Sequence, residues 1–386
     1  MVYYRSMKAM VKNYFRCISI VVGMAVGVGL FGIPYVLVKS GALIGAVYFL
    51  LLGTIIILLH LIYGETLLRT KGKHRLVGLA QIYLGKWWKR LAMAVSALGF
   101  YAVIVAYIVI GGQFLAVLLS PFFGGALISY QIIFWAIMSL IIFVGLRTIV
   151  FSELLLTILL IGTMVFLAVL SLTKFNAIHF SSVNLKEFFT PYGVILFSIT
   201  ASAAVPEVLE VMGADRRWAK SAIFWGSLLA VVLIAIFSFA VLGALGSSVS
   251  KESIGSLGAL FGNWVLYVGA LFGLFAVATS FLPLALYSKE QFQLDFKFNG
   301  ALSWFLSCGV PFLIFLFGTR DFIRIISFSG AVFSGFEGFL ILWMYRRAQK
   351  AGSLEPEYKI RLPFAILVIM GLVFLLGMIY EIRTFF

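Results

Sequence analysis

Residues 23–35 read Gly-Met-Ala-Val-Gly-Val-Gly-Leu-Phe-Gly-Ile-Pro-Tyr, and they fall inside an apolar run long enough to cross a bilayer. Gly23, Gly27, Gly29 and Gly32, followed by Pro34, weaken the intrahelical hydrogen-bond ladder where a spanning helix needs it most. Backbone groups freed at membrane depth persist only against protein or a wet cavity, so this stretch predicts a broken helix lining a cavity. A second interrupted stretch, Phe197-Ser198-Ile199-Thr200-Ala201-Ser202-Ala203-Ala204-Val205-Pro206-Glu207, lies in the other half of the chain. Paired interruptions at corresponding positions are a pointer to the midplane binding site of a secondary transporter.

The class follows from composition. Of the 386 residues, 63% are hydrophobic and 11% charged, against roughly 25% charged in a soluble domain. The chain is therefore an all-α polytopic membrane protein. Its basic N-terminus runs directly into a long apolar segment, which does not match a cleavable signal peptide. The net charge of +15 sits in short loops between apolar spans, where basic excess reports orientation rather than nucleic-acid binding. Cys17 and Cys308 fall in apolar segments, and His60, His74 and His179 lack ligand spacing, so neither a disulfide framework nor a metal centre is expected.

At about 20 apolar residues per crossing the chain divides into eleven spans. They run over Tyr14–Lys39, Ala42–Leu68, Leu91–Leu119, Gln131–Leu146, Glu153–Leu172, Tyr192–Met212, Ala222–Leu245, Trp264–Tyr287, Ala301–Gly318, Phe322–Tyr345 and Pro363–Ile382. Most of the 29 lysines and arginines fall on one side if the N-terminus is cytoplasmic, which puts the C-terminus outside. The segment Leu76–Arg90 has the pattern of a cytoplasmic interfacial helix, with an ordinary loop as the alternative. The spans form one transmembrane domain of two five-helix blocks, 14–172 and 192–345, plus an extra helix at 363–382. Five is odd, so the second block enters from the opposite side and the topology is inverted.

The strings VGMAVGVGLFGIPY, PYGVILFSITASAAVPEVLEVMG and FAVATSFLPLALYSKE resemble the amino acid/auxin permease and aromatic amino acid permease families of the amino acid-polyamine-organocation superfamily. The resemblance covers essentially the whole chain, with weaker matches at YAVIVAYIVIGG and GLRTIVFSELLLT. It implies a LeuT-type fold and uptake of amino acids with a coupling cation; the expected location is the plasma (cytoplasmic) membrane, a cell inner membrane, and no cofactor is expected. It departs at the span 6 break, where relatives often carry a glycine and this chain runs Thr200-Ala201-Ser202-Ala203-Ala204.

The chemistry of the two breaks suits a zwitterion. A break near Gly27 and Gly29 presents the amides of Gly29, Leu30, Phe31 and Gly32 to a carboxylate. A break near Thr200 presents the carbonyls of Phe197, Ser198, Ile199 and Thr200 to an ammonium. The resemblance places Phe197 as an aromatic lid, and Tyr107 adds a hydroxyl to the carboxylate contacts; ordinary packing is the competing reading for both. The small Ala201, Ser202 and Ala204 leave room for a neutral, large or aromatic side chain.

Two coupling ions remain open. Thr279 and Ser280, with the carbonyls of Gly23, Val26 and Ala276, match the second sodium site of sodium-coupled members of the fold and offer five oxygens to a hard cation. A proton-coupled mechanism instead needs a group that gains and loses a proton, and Glu337 is the deepest carboxyl; a structural hydrogen bond is its alternative role. Family resemblance tips the balance narrowly to protons. Glu65, Glu207 and Glu210 lie near the cytoplasmic ends of their spans and are expected in gate pairs with basic residues, Arg216 or Arg217 among them. His60 is expected as a hydrogen-bonded core residue rather than a relay. The expected partners are thus an amino acid, a cation and lipid. Aspartates Asp215, Asp295 and Asp321 fall at loops or helix ends and make no catalytic set, so no enzyme is expected. A transporter-derived sensor or scaffold without flux has the same sequence signature.

Overall fold

A computed structural model describes residues 2–144, 153–213, 216–295 and 297–385. Leu146, Arg147 and Asp215 lie outside the described residues. Among those described, nine helices are long and apolar enough to cross a membrane, and a bent pair, Met10–Ala25 with Val28–Ser40, makes a tenth. The chain is a multi-pass membrane protein.

The first span is α1 (Val2–Ala25), a 3₁₀ stretch Val28–Gly32 and α2 (Ile33–Ser40). Its halves meet at 46°. The break is where the glycines predict it: Gly27 is extended (φ −114°, ψ −166°), and Pro34 sits in the first turn of α2, where its missing N–H is harmless. The second span is α3 (Ala42–Leu68). A short helix α4 (Leu76–Leu84) follows, then α5 (Lys86–Phe123), α6 (Leu127–Val144) and α7 (Glu153–Leu172).

The expected interfacial helix is cut in two. Gly85, at φ +99°, turns the chain after α4, so Trp87 and Trp88 open the long α5 instead of closing the helix before it. Trp88 packs edge-on against Trp343 at 4.6 Å.

The sixth span divides into α8 (Thr190–Ile199) and α9 (Ala204–Met212). Without a glycine the interruption is confined to four residues: Thr200 takes an ordinary extended conformation (φ −77°, ψ 120°), and the two pieces still run as one span from Thr190 to Met212. Next come α10 (Ala219–Leu245), α11 (Ile254–Phe261) and α12 (Asn263–Asp295). The ninth span is α13 (Gly300–Trp304), a π turn and α14 (Val310–Phe317). The tenth is α15 (Phe322–Phe328), a π-helical stretch Ser329–Ser334 and α16 (Gly335–Ala351), and α17 (Phe364–Phe385) ends the chain.

Small residues let the spans approach closely. A Cβ at Gly330 would lie 2.0 Å from the Gly193 carbonyl, and one at Gly193 would lie 2.2 Å from the Ser327 carbonyl, so α8 and the π stretch touch backbone to backbone. Phe31 is buried between Phe114 of α5 and Phe237 of α10, edge-on at 5.8 and 6.0 Å. The first-span break thus packs beside α8, against α5, α10 and the start of the tenth span.

Candidate functional site

The first break leaves little free backbone. Val26 N–H donates to Val22 O at 2.8 Å and Gly27 N–H to Ala25 O at 2.8 Å, which close the end of α1. Beyond it the 3₁₀ winding engages Leu30 N–H with Gly27 O at 3.4 Å. The amides of Val28 and Gly29 are left as the unpaired start of the outer half, among the described residues. Those of Phe31 and Gly32, expected at the cavity, lie inside the 3₁₀ turn.

The glycines of this break face different things. A Cβ at Gly27 would meet nothing within 4 Å, so that position opens onto space. At Gly29 it would lie 2.5 Å from Ser198 Oγ and 2.6 Å from the Phe197 ring, which makes Gly29 the contact between the two broken spans. Gly32 backs on Ile323 and Ile326 of α15, and Leu30 is fully buried.

The second break is held by side chains. Thr200 N–H and Oγ1–H both donate to Leu196 O, at 3.2 and 2.7 Å, and cap α8. Ser198 Oγ–H turns back to Val194 O at 2.8 Å. Ala201 N–H, which would have bonded Phe197 O in a continuous helix, donates to His60 Nε2 at 3.2 Å. His60 Nε2 is thus an acceptor, so Nδ1 carries the hydrogen and donates to Ser227 Oγ of α10 at 2.8 Å. The ring is completely buried and joins α3, α10 and the break, a hydrogen-bonded core position as the sequence predicts. With Ala201 diverted, the carbonyls of Phe197, Ser198 and Ile199 take no intrahelical donor among the described residues.

Ser202 follows in the turn, 2% exposed, and its Oγ has no hydrogen-bond partner among the described residues. The acceptor facing it is the Glu337 carboxyl in the first turn of α16. Glu337 is half-buried in the first turn of α16. Tyr63 of α3 is in electrostatic contact with the same carboxyl. Neither Ser202 nor Tyr63 stood out in the sequence as a partner of Glu337.

The residues matched to a sodium site fall at the end of α1 and in α12. Thr279 Oγ1–H bonds within its own helix, to Phe275 O at 2.9 Å and Ala276 O at 3.1 Å. The Ser280 hydroxyl faces that of Tyr107 on α5. Gly23 lies in the last turn of α1, and Val26 just beyond its end. A hydroxyl that donates its hydrogen keeps its oxygen lone pairs, so these positions do not by themselves choose between a cation and a proton.

The acidic residues near the basic end of the bundle have specific partners. Glu65 is fully buried, and its Oε1 accepts Arg69 Nε–H and Nη2–H, both at 2.8 Å, one turn along the same helix. Its Oε2 accepts Ile360 N–H, while Tyr358 O–H donates to Leu61 O at 2.8 Å. Glu65 therefore straps the 353–362 segment to α3 instead of bridging two spans as a gate. Glu210 of α9 pairs with Arg75 at 3.5 Å and Lys73 at 3.9 Å, from the α3–α4 loop rather than from Arg216. Glu207, three residues before Glu210, is exposed on the same face of α9.

At the opposite end, Ser253 was not visible as functional in a serine-rich loop. It is fully buried at φ +61°, and its hydroxyl donates 2.6 Å to Phe31 O. Two residues earlier Lys251 Nζ pairs with Asp321 Oδ2 at 2.6 Å, ahead of α15. Burial alone raises the Asp321 carboxyl, but Lys251 and the amides of Arg324 and Ile323 outweigh it and hold the group below its ordinary 3.8. The hydrogen bond to Asp321 raises Lys251 above 10.5.

Three comparisons with known proteins bear on this arrangement. The chain is 25% identical over 378 residues to tyrosine-specific transport system 1 of Haemophilus influenzae, covering 91% of this chain and 93% of that one. Its fold is similar to that of MhsT solved in complex with L-phenylalanine, with a TM-score of 0.65 at 16% identity, covering 96% of this chain and 98% of that one. The inward-facing conformation of Mhp1 also superposes with a TM-score of 0.65, at 15% identity over 96% of this chain and 89% of that one. These likenesses show a LeuT-type transporter fold, not an enzyme. Residues 10–382 match the tryptophan/tyrosine permease family, and with the two broken spans placed face to face the chain belongs to that family.

Proposed function

We propose that the chain is a proton-coupled symporter of a neutral, large or aromatic amino acid, working by alternating access. The observation that carries the reading is the close approach of the breaks, with Gly29 against Phe197 and Ser198 and open space at Gly27. Backbone donors of one helix and backbone acceptors of the other thus flank one cavity, which is what a zwitterion requires. The substrate carboxylate is taken at Gly27 to Gly29 with Tyr107 nearby, and the ammonium by the carbonyls of Phe197, Ser198 and Ile199. Phe197 closes over the side chain, and Ala201 gives it room; Leu30, Phe31 and Gly32 shape the half-helix behind the site. Two relatives support an aromatic substrate: one is named for tyrosine transport and one was solved with L-phenylalanine.

On this reading residues 14–172 and 192–345 are inverted repeats in one domain, 363–382 is an added helix, the N-terminus is cytoplasmic and the C-terminus is outside. The Glu210 pairs with Lys73 and Arg75 then close the cytoplasmic side. Protons are favoured over sodium because the tenth span carries a carboxyl, Glu337, opposite the Ser202 hydroxyl of the sixth-span break.

Uptake of L-tryptophan and L-tyrosine by purified protein in proteoliposomes tests this. An inward pH gradient without sodium should drive accumulation, and Glu337→Gln should abolish that drive while binding persists. Accumulation on a sodium gradient alone, lost in Ser280→Ala, replaces protons by sodium. Binding without flux makes the protein a sensor.

A further inference from the structure

We infer that Ser202 is the positioning residue through which the charge on Glu337 is read by the broken sixth span; the inference rests on the proton-coupled reading above. The break is clamped on one side only. Toward α3 and α10, Ala201 N–H is held by His60, itself anchored on Ser227. Toward the tenth span nothing comparable holds it: the next residue, Ser202, is 2% exposed and its Oγ has no partner among the described residues.

A buried hydroxyl left unpaired is costly and rare, and the group it faces explains it. The Glu337 carboxyl stands opposite, on the first turn of α16, just after the π-helical stretch Ser329–Ser334. A π stretch inside a span allows the helix to shift register locally. Tyr63 is the other titratable group in electrostatic contact with Glu337, and Arg75 and Tyr287 act on Tyr63 in turn. Of these neighbours Ser202 alone belongs to an interrupted helix.

The chemistry supplies two states. An ionised carboxylate only accepts, and Ser202 O–H then makes a charge-assisted bond about twice as strong as a neutral one. A protonated carboxyl makes at best the neutral bond. Loading a proton on Glu337 therefore loosens the break on its one unclamped side, and losing the proton tightens it. The carbonyls of Phe197, Ser198 and Ile199 lie on the same segment, so proton and substrate act on one piece of backbone.

Uptake of L-tryptophan or L-tyrosine, whichever is carried faster, measured against external pH, separates this from the parent reading. Ser202→Ala should move the midpoint of the pH profile by about half a pH unit or more, and Ser202→Thr, which keeps the hydroxyl, should restore it. In a Glu337→Gln background Ser202→Ala should have no further effect, since the two act as a unit. An unmoved midpoint in Ser202→Ala, with pH dependence lost in Glu337→Gln, overturns the role of Ser202 and leaves proton coupling intact. Wild-type pH dependence in Glu337→Gln overturns both. Should Ser202→Ala fail to fold, Ser202→Cys, of similar size with a weak donor, is expected between wild type and the loss, and a wild-type midpoint there overturns the inference.

Discussion

His60 Nε2 accepts the amide hydrogen of Ala201 at 3.2 Å, across 141 residues of sequence, and so a side chain of the second span completes the backbone of the sixth. The bond exists because the helix stops at Ile199, which leaves one buried N–H without its usual carbonyl. His60→Ala should leave that amide unsatisfied at a cost of about 1–3 kcal/mol. The melting temperature in detergent should fall, and His60→Gln, which keeps an acceptor, should recover part of the loss. Equal stability of all three proteins would show that water replaces the ring.

Gly27 and Gly29 should respond oppositely to a side chain. Gly29→Val places atoms where the Phe197 ring and Ser198 Oγ already stand, so it should push the broken spans apart and lower stability as well as uptake. Gly27→Ala meets open space and should fold normally while weakening substrate affinity. Thermal unfolding and ligand binding measured on both variants separate the two effects.

Phe197→Ala should weaken apparent affinity by about 1 kcal/mol or more if the ring covers the substrate. The ring also rests against Gly29, so a loss of stability without a change in affinity would make it a packing residue only.

Lys251 and Asp321 bind the α10–α11 connection to the start of α15. Asp321 is held below 3.8, so its contribution is present above that value and is lost only as pH falls through the lower folded value. Lys251 is raised above 10.5, so its contribution is present below that value and lost only as pH rises through the higher one. The pair is therefore constant between about pH 5 and pH 8. Asp321→Asn should change the uptake rate and its salt dependence while the shape of the pH profile in that window stays the same. A changed shape would assign part of the proton dependence to this pair.

Ser253 occupies the left-handed region, at roughly 1–2 kcal/mol for a non-glycine residue, and spends its hydroxyl on Phe31 O. Ser253→Gly relieves the backbone but removes that bond; Ser253→Ala removes the bond and keeps the strain. Uptake should fall in both if the bond holds the outer half of the first span, and thermal stability should be lower in Ser253→Ala than in Ser253→Gly.

The class of the protein, the places of its spans and the site of the first break were legible in the residues themselves. Apolar runs of bilayer length admit no soluble fold, and Gly27 with its neighbouring glycines weakens a helix wherever that helix packs. The sixth-span break was legible in position but not in extent, because Thr200 reaches its extended conformation without a glycine and the neighbours decide how far the ladder opens. What only the tertiary structure decided are the partners. His60 with Ala201, Ser253 with Phe31 and Glu65 with Ile360 are hydrogen bonds, and Ser202 faces Glu337 without one; all join residues 135 or more apart, and such pairings leave no periodic trace in the sequence. The same holds for Gly29: its sequence context marks a flexible position, but only the packed bundle shows that the missing side chain makes room for Phe197 and Ser198. Local composition dictates where a helix must cross or break, whereas the unsatisfied groups that a break creates are met by whatever the fold brings beside them.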